Sequence, residues 1–302
     1  MKSFRRVWYG ARSVHCWLHD LHGLHGSKFV ITCLTLAALL VPSLAQATWS
    51  VIAIDTKTKT IVIASATCVT SAGLAGRGGL RSIQAIVVPG IGVAAAQAGV
   101  DSTRRNQQLI YEELKKGTAP ADILALLKAD PAIESRQFGM LDVQGRWAGF
   151  SGARNGASSL DAQGQVPGTT IFYSIQGNIL KSEHVVKNAV AAFVAHTGGL
   201  TDRVMAAMEV ADAAGGDSRC SCDNPRNPKT AAIVCSSKSA HVAYILRSEA
   251  TDKTGPEYQN GEYAFFIDVT DQNITADEDA NPVKALRKRY DAAVKKTPQS
   301  IH

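Results

Sequence analysis

The sequence predicts an α+β fold in which antiparallel sheets are stacked between helical layers. Three features point that way. Strand-like runs come in hairpin pairs, helical patterns come in pairs placed between those hairpins, and nothing alternates strand and helix in the βαβ manner. No Walker-A loop, G-x-G-x-x-G turn, H-E-x-x-H helix or G-x-S-x-G elbow occurs along the 302 residues.

The elements follow in order. Trp49 to Asp55 and Thr60 to Ala66 are β-branched apolar runs joined by Thr56-Lys57-Thr58-Lys59, a hairpin that places Thr48 at the first position of a core strand. Thr70 to Gly79 is rich in Gly, Ala and Ser and predicts a loop, either a plain connector or one that approaches a ligand. Ser82 to Val88 and Ile91 to Ala98 predict two more strands across Pro89-Gly90. Asp101 is an N-cap candidate for a helix to Lys116 stopped by Gly117, and Thr118 with Pro120 opens a second helix to Ala129. Gln137 to Asp142 and Arg146 to Phe150 return to strand, followed by a Gly/Ser/Asn connector and a strand from Thr169 to Gln176. Ser182 can cap a helix to His196, and Leu200 to Ala214 predicts another, ended by Gly215-Gly216. Thr230 to Ser236, Ala240 to Arg247 and Tyr263 to Val269 predict closing strands, and Pro282 to Lys295 an amphipathic C-terminal helix.

With 45% hydrophobic and 19% charged residues the chain is long and apolar enough for a sizeable core. The formal charge of +6 is uneven, because residues 1–47 hold Lys2, Arg5, Arg6, Arg12 and Lys28 against Asp20 alone. The remainder carries 27 basic and 25 acidic residues, with basic pairs such as Arg104-Arg105 but no long basic stripe, so nucleic acid is not an expected partner.

Phe29 to Val41 is an uncharged run preceded by Lys28 and followed by Ala45-Gln46-Ala47. A charged n-region, a short apolar stretch and an A-x-A end describe a secretory signal peptide, and the run falls short of the about 20 residues of a membrane span. The expectation is a cleaved leader over 1–47 and one domain over 48–302, exported to periplasm or medium without a stable membrane anchor. An uncleaved anchor is the alternative. Four cysteines then remain, Cys68, Cys220, Cys222 and Cys235. In an oxidising compartment they predict one or two disulfides, with one of Cys220 and Cys222 joined to Cys235 and Cys68 a buried thiol or disulfide partner. Zinc held by Cys220, Cys222 and a further cysteine is the competing reading, but the histidines show no ligand spacing, so no metal or other cofactor is expected.

Cleavage between Ala47 and Thr48 would leave a threonine hydroxyl and a free α-amine on one residue. With an unperturbed pKa of about 7.7–8.0 the amine is partly neutral near pH 7 and can take the hydroxyl proton, directly or through water. Nucleophile and base come preassembled, the arrangement of covalent amide hydrolysis at an N-terminal threonine. Cys68 as nucleophile lacks a histidine at recognisable spacing.

Four segments carry a family likeness: Thr48-Trp49-Ser50-Val51-Ile52-Ala53, Gly90-Ile91-Gly92-Val93 to Gln97, Ser174-Ile175-Gln176-Gly177-Asn178-Ile179-Leu180, and Ala213-Ala214-Gly215-Gly216-Asp217-Ser218-Arg219 before Thr230-Ala231-Ala232. The ending Asn281-Pro282-Val283-Lys284-Ala285-Leu286-Arg287 adds to it. Over most of residues 48–295 the chain resembles the DUF1028 family, grouped with the N-terminal nucleophile (Ntn) hydrolases. That resemblance implies a four-layer αββα sandwich of antiparallel sheets with Thr48 as catalytic N-terminal residue. Asn178, beside Gly177 at a strand end, is then the candidate oxyanion stabiliser, through its side-chain amide or a nearby backbone N–H. Asp217 and Arg219 are candidates to orient the α-amine or bind a substrate carboxylate, and Gln97 is a further polar candidate. The expected activity is hydrolysis of a small-molecule or peptide amide, with specificity in loops 67–81, 151–168 and 217–229. The alternative is a catalytically silent Ntn-fold binding module of the cell envelope. Oligomeric state is left open.

Overall fold

The computed structural model describes residues 48–156, 158–222 and 235–296. The expected leader over 1–47 lies outside them, as does most of the strand expected from Thr230 to Ser236. In chain order the strands are β1 (Thr48–Asp55), β2 (Thr60–Thr67), β3 (Ala85–Val88), β4 (Gly92–Ala98), β5 (Arg136–Asp142), β6 (Trp147–Ser151), β7 (Leu160–Gln165), β8 (Ile171–Asn178), β9 (Val242–Ser248) and β10 (Phe265–Thr270). The helices are α1 (Ser71–Ala75), α2 (Gly79–Gln84), α3 (Arg105–Lys115), α4 (Pro120–Leu127), α5 (His184–Ala195), α6 (Leu200–Ala213) and α7 (Pro282–Lys296).

β1 is apolar on both faces except near its start, and a strand of that kind is stable only with both faces covered. It lies inside a six-stranded sheet ordered β10-β9-β2-β1-β8-β7, while β3-β4-β5-β6 form a second sheet. Every pairing in both is antiparallel. Alternation along β1 divides its side chains. Trp49, Val51 and Ala53 pack with Phe193, Val204 and Met205 of α5 and α6, whereas Ile52 and Ile54 pack with Val87, Val93 and Leu141 of the second sheet. The second sheet turns Ile86, Ala94, Phe138 and Met140 outward onto Ile110, Tyr111, Leu114 and Ile123 of α3 and α4. Helices, sheet, sheet and helices therefore stack in four layers around three cores, each fully buried Leu, Ile or Phe side chain worth about 1.5–3 kcal/mol.

Three segments differ from the sequence expectation. The loop expected at Thr70 to Gly79 contains α1, capped where the Thr70 hydroxyl accepts from Gly73 N. The strand expected from Ser82 begins only at Ala85, because Leu80 and Ile83, three apart, are buried on one face of α2. The connector after Phe150 contains β7, whose sequence LDAQGQ has no β-branched residue and forms a strand only as an edge pairing with β8. Asp101 caps α3 from outside the helix, its Oδ2 accepting from Asn106 N (3.1 Å), while Arg104 occupies the N-cap with φ 61°.

Candidate functional site

Register decides what surrounds Thr48. It pairs with Thr67 of β2 on one side and Asn178 of β8 on the other. Thr48 shares the face of Ile52 and Ile54, so its side chain points into the space between the sheets, and it is 3% exposed. Thr48 Oγ1 donates to Thr67 Oγ1 at 3.3 Å, and Thr67 Oγ1 also accepts from Val69 N at 3.2 Å. Asn178 is wholly buried on the same face, directly opposite Thr48 across the pair.

The inter-sheet space changes character toward this end. Ser50, Thr67, Ser174, Gln176, Gln97 and Gln137 are buried there where Ile52, Ile54 and Ile63 fill the remainder. Gln97 is the hub. Its Nε2 donates to the Thr48 carbonyl (3.0 Å) and to Gln137 Oε1 (2.7 Å), and its Oε1 accepts from Ser50 Oγ (2.7 Å) and Gln84 Nε2 (2.6 Å). Both donors and both acceptor sites of the amide are used. Gln137 Nε2 donates to the Gly177 carbonyl (2.9 Å), Gln176 Nε2 to Ser50 Oγ (2.7 Å), and Ser174 Oγ to Gln176 Oε1 (2.8 Å). Gly139 of β5 makes room, since a Cβ there would stand 2.6 Å from Ser174 Oγ and overlap Gln176 Oε1. Tyr244 Oη donates to Gln84 Oε1 (3.0 Å), and burial pushes its hydroxyl pKa far above the ordinary tyrosine value, so it stays a neutral donor. The hub and its partners are uncharged as far as the β7 edge, where Ser151 Oγ donates to Asp161 Oδ1 (2.6 Å).

Asp217 and Arg219 stand one tier further out. Asp217 is fully buried, its Oδ2 accepts from Cys68 N (2.8 Å), and Arg219 grips both carboxylate oxygens, Nη2 to Oδ2 at 2.6 Å and Nε to Oδ1 at 3.0 Å. Cys68 follows Thr67 directly, so this ion pair fixes the backbone just past the residue that holds the Thr48 hydroxyl. A disulfide from Cys68 to Cys220 (Cα–Cα 5.7 Å) reinforces the junction, and a second joins Cys222 to Cys235 (5.9 Å). The Cys235 partner is one of the two the sequence proposed.

The structure therefore brings Thr48, Asn178 and Gln97 together. Gly177 enters through its carbonyl, because its missing side chain faces the helical layer, where a Cβ would lie 2.7 Å from Leu180 Cδ1. Asp217 and Arg219 enter through Cys68. Thr67, Ser50, Gln137 and Gln176 were missed in the sequence, although polar residues recurring at alternate positions in otherwise apolar strands are a legible signal. His241 was also unexpected. It is buried, its backbone N–H donates to the Thr67 carbonyl (2.7 Å), and one of its ring nitrogens and the Cys68 and Cys220 sulfurs lie within 4.8 Å of one another. With the two sulfurs joined as a disulfide, neither is a thiolate, so the trio is not a metal ligand set in this state.

Such a site offers a buried hydroxyl, amide donors beside it and a neutral, hydrogen-bonded surround. It is the kind of environment that stabilises developing charge through fixed dipoles. The model of the family of unknown function DUF1028 matches residues 48–256. The chain belongs to that family. Among solved structures, the DUF1028 protein SPO2555 from Silicibacter pomeroyi is similar at 20% identity and a TM-score of 0.57, over 82% of this chain and 89% of that one. At that identity the likeness shows the fold. No curated protein matches the chain. Among the described residues no helix is long and apolar enough to cross a membrane, and the two disulfides are compatible with an exported DUF1028 protein.

Proposed function

We propose that this DUF1028 protein is an exported Ntn-type amidohydrolase whose nucleophile, Thr48, is freed by cleavage after Ala47. The observation that carries the reading is the position of Thr48. It is the first residue of a strand paired on both sides, with its hydroxyl turned into the polar end of the inter-sheet space and its carbonyl held by Gln97. The family match beginning at Thr48 and the four-layer stacking support the same reading.

In this mechanism the neutral α-amine of processed Thr48 takes the Oγ1 proton as Oγ1 attacks the amide carbon. The carbonyl oxygen becomes an oxyanion, which the amide of Asn178, the register partner of Thr48, stabilises. Collapse breaks the C–N bond, and the α-ammonium returns the proton to the departing amine. The acyl-Thr48 ester is then hydrolysed by water deprotonated by the same α-amine, which releases the acid and restores the hydroxyl. Gln97 acts as a positioning residue by fixing the Thr48 carbonyl, and Asp217 with Arg219 positions Thr67 through Cys68.

N-terminal sequencing of the exported protein tests the premise and is expected to read Thr-Trp-Ser-Val. A terminus displaced by one residue, or a retained leader, overturns it. With the right terminus, amide turnover by Thr48→Ala at the wild-type rate would overturn the chemistry and leave the binding-module reading.

A further inference from the structure

A cavity of about 300 Å³ opens on the same sheet face as Thr48, between the β9–β10 edge and the α1–α2 segment that covers it. Val242 and Thr270 line it and stand in the same cross-strand row as Thr67 and Thr48. At a strand spacing of about 4.8 Å, its near end is two strands, or about 10 Å, from Thr48. Its walls are apolar, with Leu74, Leu80, Val242 and Phe266, and its volume sits at the small end of those that take small molecules.

Two charges of opposite sign also line it. The Arg81 guanidinium lies over the rings of Phe266 (5.3 Å) and Tyr263 (5.8 Å), contacts that do not use its N–H donors. Among the described residues neither the Arg81 guanidinium nor the Asp268 carboxylate has a hydrogen-bond or ion-pair partner, and they do not pair with each other. Arg289 is the cation nearest in effect to Asp268, but its guanidinium donates to the Asp268 carbonyl (Nη1, 2.8 Å) and to Glu278 (Nε and Nη2), so it acts on the Asp268 carboxylate only through space. The roof turns through Gly78 and Gly79 at φ 77° and 83°, conformations open to glycine, and a Cβ at Gly79 would meet nothing within 4 Å. The backbone there leaves the cavity unobstructed.

Separated, unpaired opposite charges over an apolar pocket match a zwitterion with an apolar body. We propose that this cavity binds an apolar α-amino acid, its carboxylate on Arg81, its ammonium on Asp268 and its side chain against Leu74, Leu80 and Val242. Arg81 offers the forked donors a carboxylate accepts two at a time. Each charged contact is the selective element, because the apolar walls alone would accept any ligand of suitable size. The inference stands independently of the Thr48 chemistry.

Titration calorimetry on the full chain tests it with three probes of common body: L-phenylalanine, 3-phenylpropionate, which lacks the ammonium, and 2-phenylethylamine, which lacks the carboxylate. L-phenylalanine is expected to bind at least about tenfold more tightly than either analogue, the cost of about 1.4 kcal/mol for one lost charged contact. Arg81→Met should weaken L-phenylalanine and 3-phenylpropionate while sparing 2-phenylethylamine, Asp268→Asn should weaken L-phenylalanine and 2-phenylethylamine while sparing 3-phenylpropionate, and Arg81→Lys should retain part of the affinity. Thr48→Ala should bind as wild type. Equal affinity for all three probes, no binding at millimolar concentration, or an Arg81→Met protein that melts normally and still binds L-phenylalanine as wild type would each overturn the proposal.

Discussion

Replacing Gln97 with leucine tests the polar hub directly, because a side chain of similar volume remains while all four hydrogen bonds vanish. The Thr48 carbonyl, Gln137 Oε1, Ser50 Oγ and Gln84 Nε2 lose a partner together. At about 1 kcal/mol net per bond the loss is about 4 kcal/mol, and the orphaned groups are buried, where desolvation is not recovered. Ser50 keeps its bond from Gln176, which softens one of the four. Leucine returns about 1 kcal/mol through its extra apolar surface. The expected net is about 3 kcal/mol, large against the roughly 5–15 kcal/mol of a typical domain. Equilibrium urea unfolding of wild type and Gln97→Leu at matched pH reads it as a shift of the midpoint at unchanged slope. A loss below about 1 kcal/mol would mean that the hub is not the fully satisfied, buried network described here.

Further outcomes follow from single features. The Cys68–Cys220 bridge closes a sequence separation of 152 and Cys222–Cys235 one of 13, so loop entropy predicts that removing the first pair costs about 5 kcal/mol and the second about 3, measurable by unfolding each double-alanine variant. Gly139→Ala places a methyl 2.6 Å from Ser174 Oγ between the sheets, and about 1–3 kcal/mol of overpacking is expected, seen as a lower melting temperature; an unchanged melt would contradict the close sheet approach. The Arg289 hydrogen bonds hold the Glu278 carboxyl below its ordinary value of 4.5. A depressed acid contributes stability that is present above the unfolded pKa and lost as pH falls through the folded one. Stability should therefore drop below about pH 4.5 in wild type, and Glu278→Gln should flatten that part of the profile.

The hairpin of β1 and β2 was legible because Val51-Ile52-Ala53-Ile54 and Ile61-Val62-Ile63 are β-branched runs around a polar turn. The outer helix pair was legible from Gly117, Pro120 and the leucine and isoleucine spacing between them. Segment 82–84 was not, since Ser82-Ile83-Gln84 alternates like a strand and only burial of Leu80 and Ile83 against the sheet decides for helix. β7 was invisible because its partner β8 supplies the order that its own residues lack. At the site, Thr48 was found by its place directly after the Ala45-Gln46-Ala47 end, and Asn178 and Gln97 through the family resemblance and their places at strand ends. What remained hidden was register: nothing local says that Thr67 would lie beside Thr48, that Gln97 would reach Thr48 from the other sheet, or that His241 would arrive beside Cys68 from 173 residues away.

Whether Thr48 becomes a nucleophile can be read as a change in mass. The exported protein is incubated with a hydroxyl-reactive acylating probe, and the adduct is located by tandem mass spectrometry. One stoichiometric acyl group is expected on the Thr48 hydroxyl of a chain that begins at that residue, with its formation slowed by Asn178→Ala. An adduct distributed over surface residues, or none on a chain correctly processed at Thr48, would contradict it.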